Sequence, residues 1–213
     1  MADTPDLGSG TARCVGSSPT MPTNRLVLAS ASPRRAKILE SLGVEITVLK
    51  TDAPETSIPH DPERTVSANA AAKLDAALAE LRRRNGEEWR GGVLAADTIV
   101  WFDGRIYGKP RDLAEAAEFL RELGGRTHSV FTGVAYAGPD GARRTACVRS
   151  DVTFHPLDEA KIADYVARVK PTDRAGAYDI DESGDLIVAS YAGSYENIMG
   201  LPEEPLRKFG ILN

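Results

Sequence analysis

Cysteine is scarce in this sequence, whose 213 residues include only Cys14 and Cys147, far apart along the chain. The two residues form no CxxC pair and no metal-ligand spacing, which argues against a disulfide framework and favours a reducing compartment. Long apolar runs are also missing, since none approaches the roughly 20 residues that a membrane-spanning helix requires. We therefore expect a cytoplasmic protein without membrane contacts.

An excess of positive charge is absent as well. Lysine and arginine number 26 against 31 aspartate and glutamate residues, which gives a formal net charge of −5. Proteins that bind nucleic acid stably usually carry a broad basic surface, so we expect no stable nucleic-acid partner. A polyanionic ligand would have to meet a local cluster of cationic side chains.

The N-terminal stretch lacks the apolar segment of a signal peptide. Residues 1–23 are rich in Gly, Ser, Thr and Pro, and we expect them to form a disordered leader. Residues 24–213 are expected to form a single domain, because a chain with 42% hydrophobic and 27% charged residues has the composition of an ordinary globular fold.

Hydrophobic periodicity predicts strands and helices in alternation. We expect strands at 25–29, 44–48, 93–102, 105–107, 127–137, 143–154 and 186–189, and helices at 33–42, 62–84, 112–123 and 158–168. Asp103-Gly104 and the turn at 138–141 indicate hairpins in the middle of the chain. The order predicts an α/β fold with a mixed sheet.

The segment from Ser30 to Arg35 joins a short strand to the start of a helix, with Ser32 as the expected N-cap and Pro33 at the first helical position. A helix N-terminus offers unpaired backbone N–H groups, and Arg34 and Arg35 add permanent positive charge. Such a segment can bind phosphate oxygens. A capped surface helix with solvated arginines explains the same residues.

Asp97 and Thr98 interrupt the most apolar strand of the sequence. A carboxylate there must meet a cation or a hydrogen-bond donor, and it could serve as a metal ligand or general base, or only as a structural ion-pair partner. Asp52 and Glu55 lie in a preceding loop and could add oxygen ligands for a hard cation, although loop carboxylates are usually just solvated.

Gly108-Lys109-Pro110 follows the expected hairpin and could present the Lys109 ammonium to a phosphate, although such a tripeptide is more often a turn. Tyr178 and Tyr195 could stack on a base or simply pack in the core. The three histidines lack metal-ligand spacing and no GxSxG motif is present, which favours direct attack by water over a covalent intermediate.

Taken in order, these segments resemble the Maf family of nucleoside triphosphate pyrophosphatases. The matching segments are LASASPRR (28–35), the Asp52/Glu55 loop, the helix carrying Lys73, LAADTIV (94–100), GKP (108–110), HSVFTGVA (128–135), DRAGAY (173–178) and GSYENIMGLP (193–202). The resemblance implies a mixed, twisted sheet with flanking helices, arranged as two lobes around a central cleft as in ITPase-like proteins, and a homodimer. It also implies hydrolysis of a nucleoside triphosphate between its α and β phosphates, assisted by Mg2+ or Mn2+, in nucleotide-pool sanitation or cell-division control.

The resemblance also assigns roles to individual residues. Asp97 corresponds to the proton acceptor, and Glu55 together with Asp97 to the metal site. Lys73 and Lys109 correspond to further catalytic residues of the cleft. Substrate binding and specificity fall on Ser30, Ser32, Arg34, Arg35, Thr98 and Asp181.

One segment departs from the family pattern. The dTTP/UTP subgroup usually has Gly-Ile-Gln-Gly after its AGAY segment, whereas this chain has Asp179-Ile180-Asp181-Glu182. An ionised carboxylate accepts hydrogen bonds but cannot donate them, so the base preference stays open. Thr98 and the AGAY segment favour the dTTP/UTP subgroup over the 7-methyl-GTP subgroup.

Two alternatives from other functional classes remain. One is a nucleotide-binding cell-division inhibitor without turnover, against which the presence of Asp97 and Glu55 argues. The other is an RNA-binding module built on the SPRR segment, against which the acidic net charge argues.

Overall fold

A computed structural model describes residues 26–86 and 89–212. The expected leader, with Cys14, lies outside the described residues. The helices are α1 (Pro33–Ser41), α2 (Pro62–Asn85), α3 (Leu113–Leu123), α4 (Glu159–Val169), α5 (Tyr195–Met199) and α6 (Glu203–Lys208). The strands are β1 (Leu26–Ala29), β2 (Ile46–Val48), β3 (Val93–Phe102), β4 (Arg105–Tyr107), β5 (Thr127–Ala137), β6 (Arg143–Phe154) and β7 (Val188–Ala192).

The strands form one mixed sheet in the order β2-β1-β3-β5-β6-β7, and β4 pairs with the far end of β3. β1 runs parallel to β2 and β3, while the neighbours from β3 to β7 are antiparallel. The hairpin between β3 and β4 turns at Asp103 and Gly104, both with positive φ, as an Asp-Gly turn requires. The predicted mixed α/β sheet is confirmed.

Two predicted strand boundaries were wrong. β2 begins at Ile46 rather than 44, because the Val44 N–H donates to the Leu39 carbonyl at the end of α1. The last strand begins at Val188 rather than 186, since residues 184–186 form a 3-10 turn. β7 lies at the sheet edge and is mostly exposed, so hydrophobicity does not mark its extent.

The hydrophobic core divides along β3. Val93 and Ala95 pack beneath α2, and Leu94 and Ala96 pack beneath α1, whereas Val100 belongs to a separate core group under α3 and α4. Asp97 and Thr98 lie between these groups. The groups beneath α1 and α2 precede these two residues along β3 and the group under α3 and α4 follows them, which agrees with the expected two lobes around a cleft.

Helix α2 lies very close to the sheet at Gly133 of β5. A Cβ atom at this position would lie 2.4 Å from the Val66 carbonyl oxygen, so only glycine permits the contact. Gly133 pairs directly with Asp97 on β3. The close approach therefore brings α2 beside Asp97. Within the described ranges, no helix has the length and apolar character needed to cross a membrane.

Candidate active site

A cleft of about 290 Å³ opens beside the middle of β3. Its walls come from the start of α1, from α2 and β3, from the loop after β4, from residues 173–180 and from α5. The predicted site residues that line it are Ser32, Arg34, Arg35, Glu55, Lys73, Asp97, Thr98 and Lys109. Ser30 and Asp181 lie outside its lining.

A larger cavity, of about 420 Å³, lies near the start of β3 and is lined by Trp89, Arg90 and Arg143 among others. It contains none of the predicted site residues. The smaller cleft is the better candidate because charged side chains from distant parts of the chain converge there.

Asp97 is only 5% exposed, and each of its carboxylate oxygens has a partner on α2. Lys73 Nζ lies 2.6 Å from Oδ1, and Asn69 Nδ2 donates to Oδ2 at 3.0 Å. A buried carboxylate requires such partners, because desolvation strongly disfavours an unpaired charge. Lys73 and Asn69 therefore hold Asp97 in one orientation.

Lys73 also joins the loop after β2 to this centre. Its Nζ lies 2.6 Å from Glu55 Oε1 as well as from Asp97 Oδ1, so two carboxylates converge on one ammonium group. Glu55 remains 56% exposed and faces the cleft. Asp52, the other candidate in this loop, is exposed and does not line the cleft.

Sequence reasoning missed Asn69. Its amide clamps the same loop, because Oδ1 accepts from the Thr56 N–H at 2.8 Å and Nδ2 donates to the Thr56 carbonyl at 3.1 Å. The available signal was its spacing, since Asn69 precedes Lys73 by four residues and so lies on the same face of α2.

Arg35 connects three parts of the cleft wall. Its Nε donates to the Gly200 carbonyl at 2.8 Å, Nη1 to Ser30 Oγ at 3.1 Å and Nη2 to Thr98 Oγ1 at 2.9 Å. Burial lowers the pKa of the Arg35 guanidinium from its ordinary value, and the negative charge of Asp97 opposes that shift. Arg35 thus joins three segments of the cleft wall, and Ser30 contacts Arg35 without lining the cleft itself.

The start of α1 differs from the expected capped helix. Ser32 makes no side-chain capping bond, and its own N–H donates to Ser30 Oγ at 3.1 Å instead. Arg34 faces residues 173–179, with Nη1 lying 3.5 Å from Asp173 Oδ2 and 3.6 Å from Asp179 Oδ2. Ion pairs to two carboxylates of one distant segment distinguish Arg34 from a solvated helix arginine.

Lys109 lies in the cleft lining, on the loop after β4. Its side chain is exposed and forms no hydrogen bond or ion pair with the residues that the structure describes. The ammonium group is therefore available to an incoming anion.

Residues 25–209 match the Maf-like protein family. The chain belongs to the Maf family. A protein named dTTP/UTP pyrophosphatase from Moorella thermoacetica is 43% identical over 194 residues, covering 88% of this chain and 96% of the relative. A protein of the same name from Geobacter metallireducens is 43% identical over 200 residues, covering 90% of this chain and all of the relative.

The fold of this Maf protein is similar to that of the Staphylococcus aureus Ham1 protein, with a TM-score of 0.50. The match covers 88% of this chain and 98% of the other at 16% sequence identity. At that identity the likeness concerns the fold alone.

Asp181 in this Maf protein is exposed and lies beside the cleft rather than in its lining. Its Oδ1 accepts a hydrogen bond from the Tyr195 hydroxyl at 3.3 Å. The pKa of Tyr195 is raised to about 12, mainly by burial and further by the nearby Asp181 carboxylate.

Tyr178 packs in the core of this Maf protein, although one side of it reaches the cleft. Its hydroxyl lies 3.0 Å from Nε2 of the buried His128, and its ring meets Phe154 edge-on. Burial raises the pKa of Tyr178. These contacts favour the packing role over stacking on a base.

The acidic side chains of the cleft also limit how a metal could be held. Among the residues that the structure describes, no group of three or more His, Cys, Asp and Glu side chains is arranged to hold an ion. Asp97 and Glu55 converge as a pair, which leaves the remaining ligands of any cation to solvent or substrate.

Proposed function

We propose that this Maf protein hydrolyses nucleoside triphosphates, UTP and dTTP above all, to the monophosphate and pyrophosphate. The observation that carries the proposal is the buried Asp97 carboxylate, held by Lys73 and Asn69 at a cleft that also presents Arg34 and Lys109. Relatives at 43% identity that are named dTTP/UTP pyrophosphatase support the same activity and nucleobases.

In the proposed reaction, a water oxygen attacks the α-phosphorus and the bond from that phosphorus to the bridging oxygen of the β-phosphate breaks. The Asp97 carboxylate accepts the proton of the water, and pyrophosphate leaves with the bond electrons. Asn69 and Lys73 each bind one carboxylate oxygen of Asp97, which keeps the proton acceptor from rotating away.

Positive charge at the cleft offsets the negative charge of the phosphate oxygens, which would otherwise repel the attacking oxygen. Arg34 offers a planar fork of N–H donors and Lys109 an exposed ammonium, and both suit the departing pyrophosphate. Positive charges in a partly enclosed cleft stabilise the negative charge that develops on the leaving group.

The donor set fits a divalent cation. Mg2+ and Mn2+ are usually held by one or two carboxylates together with substrate phosphates, and Glu55 and Asp97 already converge on a cation, the Lys73 ammonium. Glu55 and Asp97 would hold the ion, which when bound supplies charge neutralisation at the phosphate oxygens.

A cytoplasmic location and a homodimer are parts of the proposal that rest on the sequence. The scarcity of cysteine supports the first, and the family resemblance supports the second. Light scattering on the protein as it elutes from a size-exclusion column measures its molar mass and so tests for the dimer.

The function is tested by product analysis. Purified protein is incubated with UTP or dTTP and Mg2+, and nucleotides and phosphates are separated by ion exchange. UMP or dTMP with an equal amount of pyrophosphate is expected, and EDTA should abolish both. UDP with orthophosphate would contradict the cleavage site, while nucleotide binding without products would favour the non-catalytic regulator.

A further inference from the structure

Asp179 is a second buried carboxylate in the lining of the cleft, 7% exposed. Its Oδ2 lies 3.0 Å from Arg174 Nε and 3.6 Å from Arg34 Nη1. Its Oδ1 accepts the Asp181 N–H at 2.9 Å. One carboxylate thus serves two guanidinium groups and the backbone turn that follows it.

This carboxylate is anchored from α4. The Asp179 N–H donates to the Tyr165 hydroxyl at 2.9 Å, and Arg174 Nη1 donates to the Val169 carbonyl at 2.9 Å. Arg34 approaches from α1, on another element of the cleft wall. Asp179 therefore places an anchored negative charge beside Arg34, on a segment outside helix α1.

The two carboxylates near Arg34 differ in environment. The Asp173 side chain is 59% exposed, where solvent and salt screen an ion pair, whereas the Asp179 side chain is 5% exposed. The 3.6 Å separation of Asp179 from Arg34 is longer than a hydrogen bond. Asp179 attracts the guanidinium without occupying its N–H donors, which stay available to a phosphate.

We propose that Asp179 is a positioning residue, whose buried negative charge orients Arg34 toward the phosphate chain of the substrate. The inference rests on the proposed function of the cleft. The Gly-Ile-Gln-Gly pattern of the dTTP/UTP subgroup carries no charge at this position, so the arrangement belongs to this chain rather than to that pattern.

The test begins with Asp179→Asn, whose amide oxygen still accepts the Asp181 N–H while the charge is lost. We expect KM for UTP to rise about tenfold with kcat within about twofold, because coupling within one charge network commonly reaches that size. In an Arg34→Ala background, Asp179→Asn should change KM by less than about twofold. Glu182→Gln is the matched control, since Glu182 contacts Arg174 from an exposed position and should leave KM unchanged.

An unchanged or lower KM in Asp179→Asn overturns the proposal, as does an equal rise in the Arg34→Ala background. Circular dichroism and melting precede the kinetics because Asp179 is buried. Asp179→Glu keeps the charge and provides the second test: KM near the wild-type value is expected, and a tenfold rise would exclude orientation by charge.

A binding measurement separates this inference from the proposed function. Calorimetry with a non-hydrolysable UTP analogue should show the same tenfold loss in Asp179→Asn. If the wild-type protein binds the analogue but releases no pyrophosphate from UTP, the proposed function fails. The positioning role is then still measured by the Kd for the analogue. If the wild type does not bind the analogue, both fail.

Discussion

Asp97 is a carboxylate buried in an apolar strand, and the two side chains that satisfy it come from one helix. Removing one partner of a buried charge typically costs more than the pair contributes, because the remaining charge stays desolvated. Lys73 and Asn69 are therefore tied to Asp97 both structurally and in the proposed chemistry.

Asp97→Asn tests the proton acceptor. The amide is nearly isosteric but far less basic, so kcat should fall about 10²- to 10⁴-fold. The initial rate of pyrophosphate release at saturating UTP measures the effect. Asp75→Asn is the control, because Asp75 lies on the exposed side of α2 in an ion pair with Arg143. Wild-type kcat in Asp97→Asn would remove Asp97 from the mechanism.

His128 is a buried residue that the proposed reaction does not use. It is 1% exposed, its Nε2 meets the Tyr178 hydroxyl, and its Nδ1 has no hydrogen-bond partner among the described residues. Burial lowers the pKa of His128 from 6.5 to about 4, with Asp151 opposing the shift. Above about pH 4 the folded protein therefore holds this imidazole neutral.

His128→Gln should flatten the acid side of the stability profile. In the wild type the unfolded state binds a proton below pH 6.5 and the folded state only below about pH 4, so stability falls as the pH drops through this window. The loss from this group reaches about 3 kcal/mol. Urea unfolding at pH 7 and pH 4.5 measures it, and an equally large fall in the variant would exclude His128 as the cause.

At the scale of elements, the packing of α2 against β5 determines where the proposed catalytic groups meet. The helix lies over Gly133, opposite Asp97, so its next turns bring Asn69 and Lys73 to the carboxylate. A small displacement of this helix would separate Lys73 from both Asp97 and Glu55.

Gly133→Ala should therefore lower stability and activity together. The new methyl group would lie 2.4 Å from the Val66 carbonyl, and overpacking of this kind costs about 1–3 kcal/mol. A melting temperature lower by roughly 2–4 °C for each kcal/mol is expected, with reduced kcat. Gly108→Ala is the control for melting, because its Cβ would meet no atom within 4 Å. Unchanged melting in Gly133→Ala would show that α2 shifts freely.

At the scale of the whole molecule, the cleft is assembled from segments between residues 31 and 200, so substrate preference is a property of the complete fold. Within the segment that departs from the family pattern, Asp181 lies outside the cleft lining and accepts a hydrogen bond from Tyr195. Its carboxylate need not face the base.

We expect Asp181→Gln to leave base preference unchanged. An ionised carboxylate facing O2 or O4 of uracil would cost roughly 1–3 kcal/mol, and an exposed side chain outside the cleft avoids that cost. The test compares kcat/KM for UTP, dTTP, CTP and GTP, with Glu182→Gln as the neighbouring exposed control. A selective rise for UTP and dTTP of tenfold or more in Asp181→Gln would place residue 181 in the base pocket.

The sequence by itself determined the elements whose signals are local. The periodicity of α2, the apolar run of β3 and the Asp-Gly hairpin predicted their positions, because each depends on neighbouring residues. The carboxylate of Asp97 stood out for the same reason, as a charge in an apolar strand.

Only the tertiary structure decided which side chains meet. Asn69 lies 28 residues from Asp97, and Arg35 reaches the Gly200 carbonyl across 165 residues. Such contacts depend on how α2 packs on the sheet and how α5 closes the cleft, which no local pattern encodes. The pairing of Asp179 with Arg34 and the outward position of Asp181 have the same origin, because both follow from how residues 173–182 pack against α4 and α5.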